Sequence, residues 1–231
     1  MFSGIPLKEV GDNIWCIANQ TFASNTYVCR TEVEGECFLV DPGLDASLID
    51  ECLEKLSLKP RHIFCTHGHF DHIGSASFFQ NKYKAKVYLH EADTKTMQAS
   101  NFLLMAFKIK CRIEIPLLEK VAGSEFNISI GDQVIKYFLI PGHTAGSCII
   151  SFGSAIFSGD SLYSRGIGFS QLPGEKPEQL RNSLLTIWDK IPLDCMIYPG
   201  HGSSATFDWI CHNNQSLINF INSPYKQQKG K

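Results

Sequence analysis

Short β-branched and aromatic runs at 14–18, 25–30 and 36–40, broken by polar turns, predict a meander of three antiparallel strands. Asp41-Pro42-Gly43 closes the third run. The period then changes. Leu48, Ile49, Cys52, Leu53 and Leu56 recur at helical spacing and predict a helix over 45–56. Residues 62–65 read as a strand, 74–79 as a short helix and 86–89 as a strand. Between 93 and 119 the pattern is weaker, except for the apolar stretch 101–110 (NFLLMAFKIK), which predicts a helix. Its apolar face argues for burial in the core, with a flap beside a site as the alternative.

The second half repeats the strand character at 126–130, 133–140, 148–152 and 155–158, with Gly131-Asp132 and Gly153-Ser154 as hairpin turns. A helix over 177–190 has Pro at its first turn. A strand over 194–198, a helix over 206–222 and a polar tail over 226–231, which reads as disordered, complete the chain. Each half runs from strands through a helix to a strand that ends in a polar turn. That order predicts one domain over 1–231, with two sheets inside and helices outside.

One turn stands apart. Thr66-His67-Gly68-His69-Phe70-Asp71-His72-Ile73-Gly74 puts three imidazoles and one carboxylate within six positions, at the end of the strand 62–65. A single histidine there would be an ordinary loop residue, whereas this cluster suits zinc, iron or manganese. Three more polar turns end strand-like runs. They are Pro141-Gly142-His143-Thr144-Ala145-Gly146-Ser147, Ser158-Gly159-Asp160-Ser161 and Pro199-Gly200-His201-Gly202. Each carries one metal-type ligand beside glycines that let the backbone turn tightly.

Composition narrows the setting. The 231 residues suit one large domain or two small ones, and 44% hydrophobic with 19% charged residues is ordinary for a globular protein. A net charge of −2 without a basic run argues against nucleic acid as a partner. No apolar run approaches a membrane span and no signal-peptide pattern is present over 1–11. Nine cysteines without a CxxC spacing read as reduced, mostly buried thiols of a cytoplasmic protein. The oligomeric state is left open, and the expected partner is a small-molecule substrate.

The ordered set HxHxDH, PGHTxGS, SGDxL and YPGHG resembles the metallo-β-lactamase-fold hydrolase superfamily, and within it the small glyoxalase-II-like hydrolases. The resemblance runs from about Ile14 to about Thr206. It implies an α/β fold, a four-layer αββα sandwich, with two divalent metal ions at one edge: zinc by default, iron or manganese as alternatives. It implies that His67, His69 and His143 hold the first ion, that Asp71, His72 and His201 hold the second, and that Asp160 bridges them. Asp71 and Asp160 are the implied catalytic carboxylates. Two such ions about 3.5–4 Å apart can share a water and lower its pKa towards ~7. One can also polarise a carbonyl and stabilise the oxyanion that forms.

The implied activity is hydrolysis of a thioester or other acyl compound. A lactonase, β-lactamase or phosphoesterase on the same site is the alternative, because fold and metal do not choose the substrate. A mononuclear iron persulfide dioxygenase would use fewer ligands. A non-catalytic binding protein would carry a damaged ligand set, and none of these seven residues is damaged. Two departures bear on the substrate. The family stretch GRxDxPGG is here Gly168-Phe169-Ser170-Gln171-Leu172-Pro173-Gly174-Glu175, which removes an Arg and an Asp and adds the apolar Phe169, expected at a pocket rim. Arg165, close by, is the one cation expected to substitute. Only about thirty residues follow Gly202, so the helical domain that binds glutathione in full-length glyoxalase II is not expected. Cys65 reads as a buried structural thiol, and His62, His90 and His212 as ordinary surface or capping residues.

Overall fold

Successive residues along the central strands enter different cores, and that period of two sets the architecture. The computed structural model describes residues 6–169 and 174–222; the replaced stretch 170–173 and the tail 226–231 lie outside the described residues. One sheet holds β1 (Leu7–Gly11), β2 (Ile14–Ala18), β3 (Asn25–Arg30), β4 (Glu36–Val40), β5 (Lys59–Phe64), β6 (Lys86–His90) and β7 (Leu118–Val121), in that order. Pairing is antiparallel from β1 to β4, with the expected meander as β2 to β4, and parallel from β4 to β7. The other sheet runs β8 (Glu125–Ile130), β9 (Gln133–Leu139), β10 (Cys148–Phe152), β11 (Ala155–Gly159), β12 (Met196–Pro199) and β13 (Ala205–Thr206), with only β11 and β12 parallel. The helices are α1 (Ala46–Leu56), α2 (Phe70–Ile73), α3 (Ala76–Tyr83), α4 (Thr94–Gln98), α5 (Ser100–Ala106), α6 (Pro177–Ile187), α7 (Phe207–Asn213) and α8 (Gln215–Asn222).

Three apolar clusters fill the spaces between four layers. On β4, Cys37 and Leu39 face α1 and α3 through Ile49, Leu53 and Phe79. Their neighbours Phe38 and Val40 face the second sheet through Ile135, Ile150 and Phe157. On that sheet, Ile149, Ile156 and Ile197 turn outward to Leu180 and Leu184 of α6 and Phe207 of α7. Strands buried on both faces are therefore nearly all apolar, and the chain forms the α/β sandwich of two mixed sheets flanked by helices. Each fully buried Phe or Ile side chain contributes about 1.5–3 kcal/mol.

Three short strands, β1, β7 and β13, escape the sequence reading because they are brief and half exposed. The helix expected over 101–110 stops at Ala106, and Lys108 has φ 58°. The helix expected over 206–222 breaks at Asn214, and the break holds a loop in place. Asn214 is buried. Its Nδ2 donates to the carbonyls of Tyr163 and Gly166 at 3.1 and 2.9 Å. Its Oδ1 accepts from the Gly166 and Leu217 amides at 3.1 and 3.2 Å. One side chain thus caps α8 and pins the loop that follows Asp160.

Asn214→Ala leaves these buried groups unpaired. We expect it to lower unfolding free energy by about 1–3 kcal/mol, read by denaturant titration. A change within ~0.5 kcal/mol would show that the loop is held by other means.

Candidate metal centre

β4, β5 and β6 run in one direction, and β9, β11 and β12 share a direction in the other sheet. The turns after β5, β9, β11 and β12 carry the candidate residues, and they meet at one edge of the sandwich. The structure brings all seven together. His67, His69 and His143 form one group that could hold a metal ion, His67, His72 and Asp160 another, and Asp71, His72 and His201 a third.

In the first group, His69 Nδ1 lies 3.1 Å from His67 Nε2 and 3.0 Å from His143 Nε2. Nitrogens around a tetrahedral zinc sit about 3.3 Å apart, so this spacing suits a shared cation. In the other, Asp71 Oδ2 lies 3.4 Å from His72 Nε2 and 3.2 Å from His201 Nε2. Asp160 stands between them: Oδ1 is 3.4 Å from His72 Nε2, and Oδ2 is 3.5 Å from both His143 Nε2 and His201 Nε2. His72 Nε2 and Asp160 Oδ1 are fully buried yet make no hydrogen bond. Buried polar atoms without partners are costly, and a cation between them would satisfy both. The donor set therefore fits divalent metal ions.

The charge states agree. Burial first, then the neighbouring imidazoles, hold His67 far below its ordinary value. Burial and then His143 press His69 down to about 4. Both are neutral, as metal ligation requires. Burial works against ionisation of Asp71 and Asp160, but His72, with His201, outweighs it and holds both carboxyls well below the usual range. Burial likewise opposes charge on His72, and Asp71, Asp160 and Asp41 overcome it and lift its pKa. On His201 burial is outweighed by hydrogen bonds to Asp160 and Asp71, which raise it to about 9.

The residues behind the seven were not singled out from the sequence. Asp41, buried at φ 51°, accepts from His72 Nδ1 at 2.9 Å and from the Thr66 amide and hydroxyl at 2.7 Å each. The Nδ1 proton is thereby fixed, and Nε2 is left to face the centre. Asp93 accepts from the Gly68 amide (2.6 Å), the Thr144 hydroxyl (2.8 Å) and the Gly146 amide (2.8 Å), so one carboxylate ties the His67 turn to the His143 turn. Asn25 and Tyr27 of β3 donate to Pro199 O at 3.0 and 2.7 Å, and Asn25 also to Gly202 O at 2.8 Å. They seat the His201 turn across the two sheets, while His201 Nδ1 donates to Ala23 O. His143 Nδ1 sits 3.2 Å from Glu175 Oε1 and 3.3 Å from Gly168 O. Gly200 passes so close that a Cβ would collide with Asp160 Oδ1 and His72 Cε1. Tyr163, whose ring is 6.2 Å from that of His201, has its phenol pushed up by burial and then by Asp160, so it stays protonated.

Other expectations resolve as follows. Cys65 is buried. His90 is buried and caps the turn at Ala92 through Nδ1, while His212 is exposed. His62 stacks beside Phe64 and Tyr88 on the sheet. Phe169 does not line a rim: it packs on Phe220 of α8 at 5.3 Å, in the outer cluster of the second sheet. Arg165 lies over the Trp209 ring at 5.5 Å.

The family model of the metallo-beta-lactamase superfamily matches residues 20–201. The chain is similar to the probable polyketide biosynthesis zinc-dependent hydrolase PksB of Bacillus subtilis, 26% identical over 182 residues, covering 79% of this chain and 74% of that one. Among solved structures it resembles the BLEG-1 B3 metallo-beta-lactamase, with TM-score 0.76 and 26% identity over 91% of this chain and 100% of that one. It also resembles TTHA1623 in a di-iron-bound form, with TM-score 0.75 and 26% identity over 87% and 98% of the two chains.

Asp41→Asn would place a donor where donors already point. We expect metal affinity of the Asp71–His72–His201 group to fall about 10–100-fold, with a smaller change at the His67–His69–His143 group. Competition against a chromophoric chelator reads both. Wild-type affinity at both groups would contradict the role of Asp41.

Proposed function

We infer the reaction from the premise that the chain belongs to the metallo-beta-lactamase superfamily and is a metal-dependent hydrolase. The proposed activity is hydrolysis of a thioester or other acyl compound, in the manner of the small glyoxalase-II-like hydrolases. His67, His69 and His143 would hold one divalent ion, and Asp71, His72 and His201 a second, with Asp160 between them. The observation that carries this reading is the placing of the two Asp160 oxygens, one 3.4 Å from His72 Nε2 and the other 3.5 Å from both His143 Nε2 and His201 Nε2. Zinc is the default, as for the probable zinc-dependent hydrolase PksB; iron, as in the di-iron form of TTHA1623, and manganese are the alternatives.

Two such ions, when bound, supply a low-pKa water and a Lewis acid for the carbonyl oxygen. The chain's own groups do the rest. Asp71 and Asp160, held ionised, offset the charge of the cations and orient the water by accepting its protons in hydrogen bonds. Asp41 keeps the His72 proton on Nδ1, which leaves Nε2 free to bind. In the net reaction the water oxygen joins the acyl carbon, the bond to sulfur or oxygen breaks, one proton of the water leaves with the released thiol or alcohol, and the other is released to solvent as the acid ionises. No serine or cysteine nucleophile is needed, and Cys65 is held as a thiol by burial and then by Asp41. The nine cysteines are all free, which supports a reducing, cytoplasmic setting.

Metal-loaded protein should carry close to two ions per chain by elemental analysis and hydrolyse at least one member of a panel of thioesters, lactones, β-lactams and phosphoesters. Asp160→Ala should lose activity and at least one ion, while the exposed His212→Ala changes neither. One iron per chain with oxygen uptake, or full activity in Asp160→Ala, would overturn the reading.

A further inference from the structure

Of the seven converging residues, His67, His69, Asp71, His72, His143 and Asp160 are buried. The His201 side chain is 29% exposed, so among the described residues it marks the open side of the centre. Two rings flank it. The Tyr163 ring is 6.2 Å from the imidazole and carries a hydroxyl. The Phe22 ring, 6.4 Å away, offers only apolar surface.

Phe22 is the first step of a longer apolar wall. Its ring meets Phe70 at 5.1 Å and Phe107 at 6.1 Å, and those two meet each other at 5.8 Å. Phe70 is buried, Phe22 half-buried, and Phe107, just past the end of α5, is 46% exposed. The wall therefore leads from the edge of the centre to solvent, and its outer ring stays wet unless a ligand covers it. Removing apolar area from water is favourable in proportion to the area covered.

We propose that Phe22 and Phe107 bind the apolar chain of an acyl substrate whose carbonyl lies at the metal centre. The inference rests on the acyl-hydrolase reading and adds the substrate class: acyl groups with an extended alkyl or aromatic tail, in preference to short or charged ones. Phe70 acts beneath them as the buried support that fixes both rings. On this proposal the stretch 101–110 serves both expected places: Leu104 is buried in the core, and Phe107, exposed past the end of α5, would stand at the rim.

The test is a series of straight-chain acyl thioesters of one thiol, from acetyl to decanoyl, with metal-loaded wild type, Phe107→Ser, Phe22→Leu and Val33→Ser. Val33 is an exposed apolar residue in the β3–β4 turn, at the end of β3 away from Asn25, and serves as the control. In wild type and Val33→Ser, kcat/KM should rise about two- to fourfold per methylene, chiefly through KM, until the chain passes Phe107. Phe107→Ser should flatten the rise for the longer chains, and Phe22→Leu should weaken it from the shorter ones, with metal content unchanged in both. Binding of the free carboxylates, acetate to decanoate, is read in parallel by calorimetry, so the wall is tested even if no thioester is turned over. A gradient that survives in both variants, or carboxylate affinity independent of chain length, overturns the proposal. Length-dependent carboxylate binding that Phe107→Ser abolishes, without hydrolysis of any thioester, would support the wall and overturn the reaction assigned to the centre.

Discussion

Two ionised carboxylates and five imidazoles share one edge of the sandwich, and only His201 keeps appreciable contact with water. Bringing such groups out of water is costly unless each is paired or bound to a metal. Hydrogen bonds within the cluster satisfy some of them. His72 Nε2 and Asp160 Oδ1 remain unsatisfied although they are 3.4 Å apart. The arrangement is comprehensible as a site whose remaining partners are cations, and in this respect folding and metal binding are linked.

The scaffold holds this edge with polar staples. Apolar packing between the two sheets is non-directional and would not by itself fix the turns to a fraction of an ångström. Asp93 joins the His67 turn to the His143 turn, and Asn25 with Tyr27 joins the first sheet to the His201 turn. Asn214 does the same for the loop beyond Asp160. All of these residues are buried, so each missing hydrogen bond would leave a desolvated partner behind.

The strands of the first sheet were legible as short β-branched and aromatic runs bounded by polar turns: 14–18, 25–30 and 36–40 match β2, β3 and β4 to the residue. The seven candidate residues drew notice because they stand in four glycine-containing turns that each follow a strand-like run. What escaped were residues whose meaning is purely tertiary. Asp41 and Asp93 look like ordinary turn acids in sequence, and only the parallel pairing of β4, β5 and β6 places them under the histidines. Asn214 lies in the polar run His212-Asn213-Asn214-Gln215-Ser216, where Asn is a favoured cap, but the apolar period on either side reads through it. Phe169 was read from its place in a family motif, whereas the nearby α8 draws it into the outer core. Phe22, an isolated aromatic in a polar loop, has no periodic neighbour to mark it.

The central claim is that one buried edge holds two cations with Asp160 common to both. Crystals of zinc-loaded protein, measured at wavelengths on either side of the zinc absorption edge, test it most directly. The account predicts two anomalous peaks about 3.5–4 Å apart. One should be bound by His67, His69 and His143, the other by Asp71, His72 and His201, and Asp160 should contact both. A single peak, or a second peak away from Asp71 and His201, would contradict it.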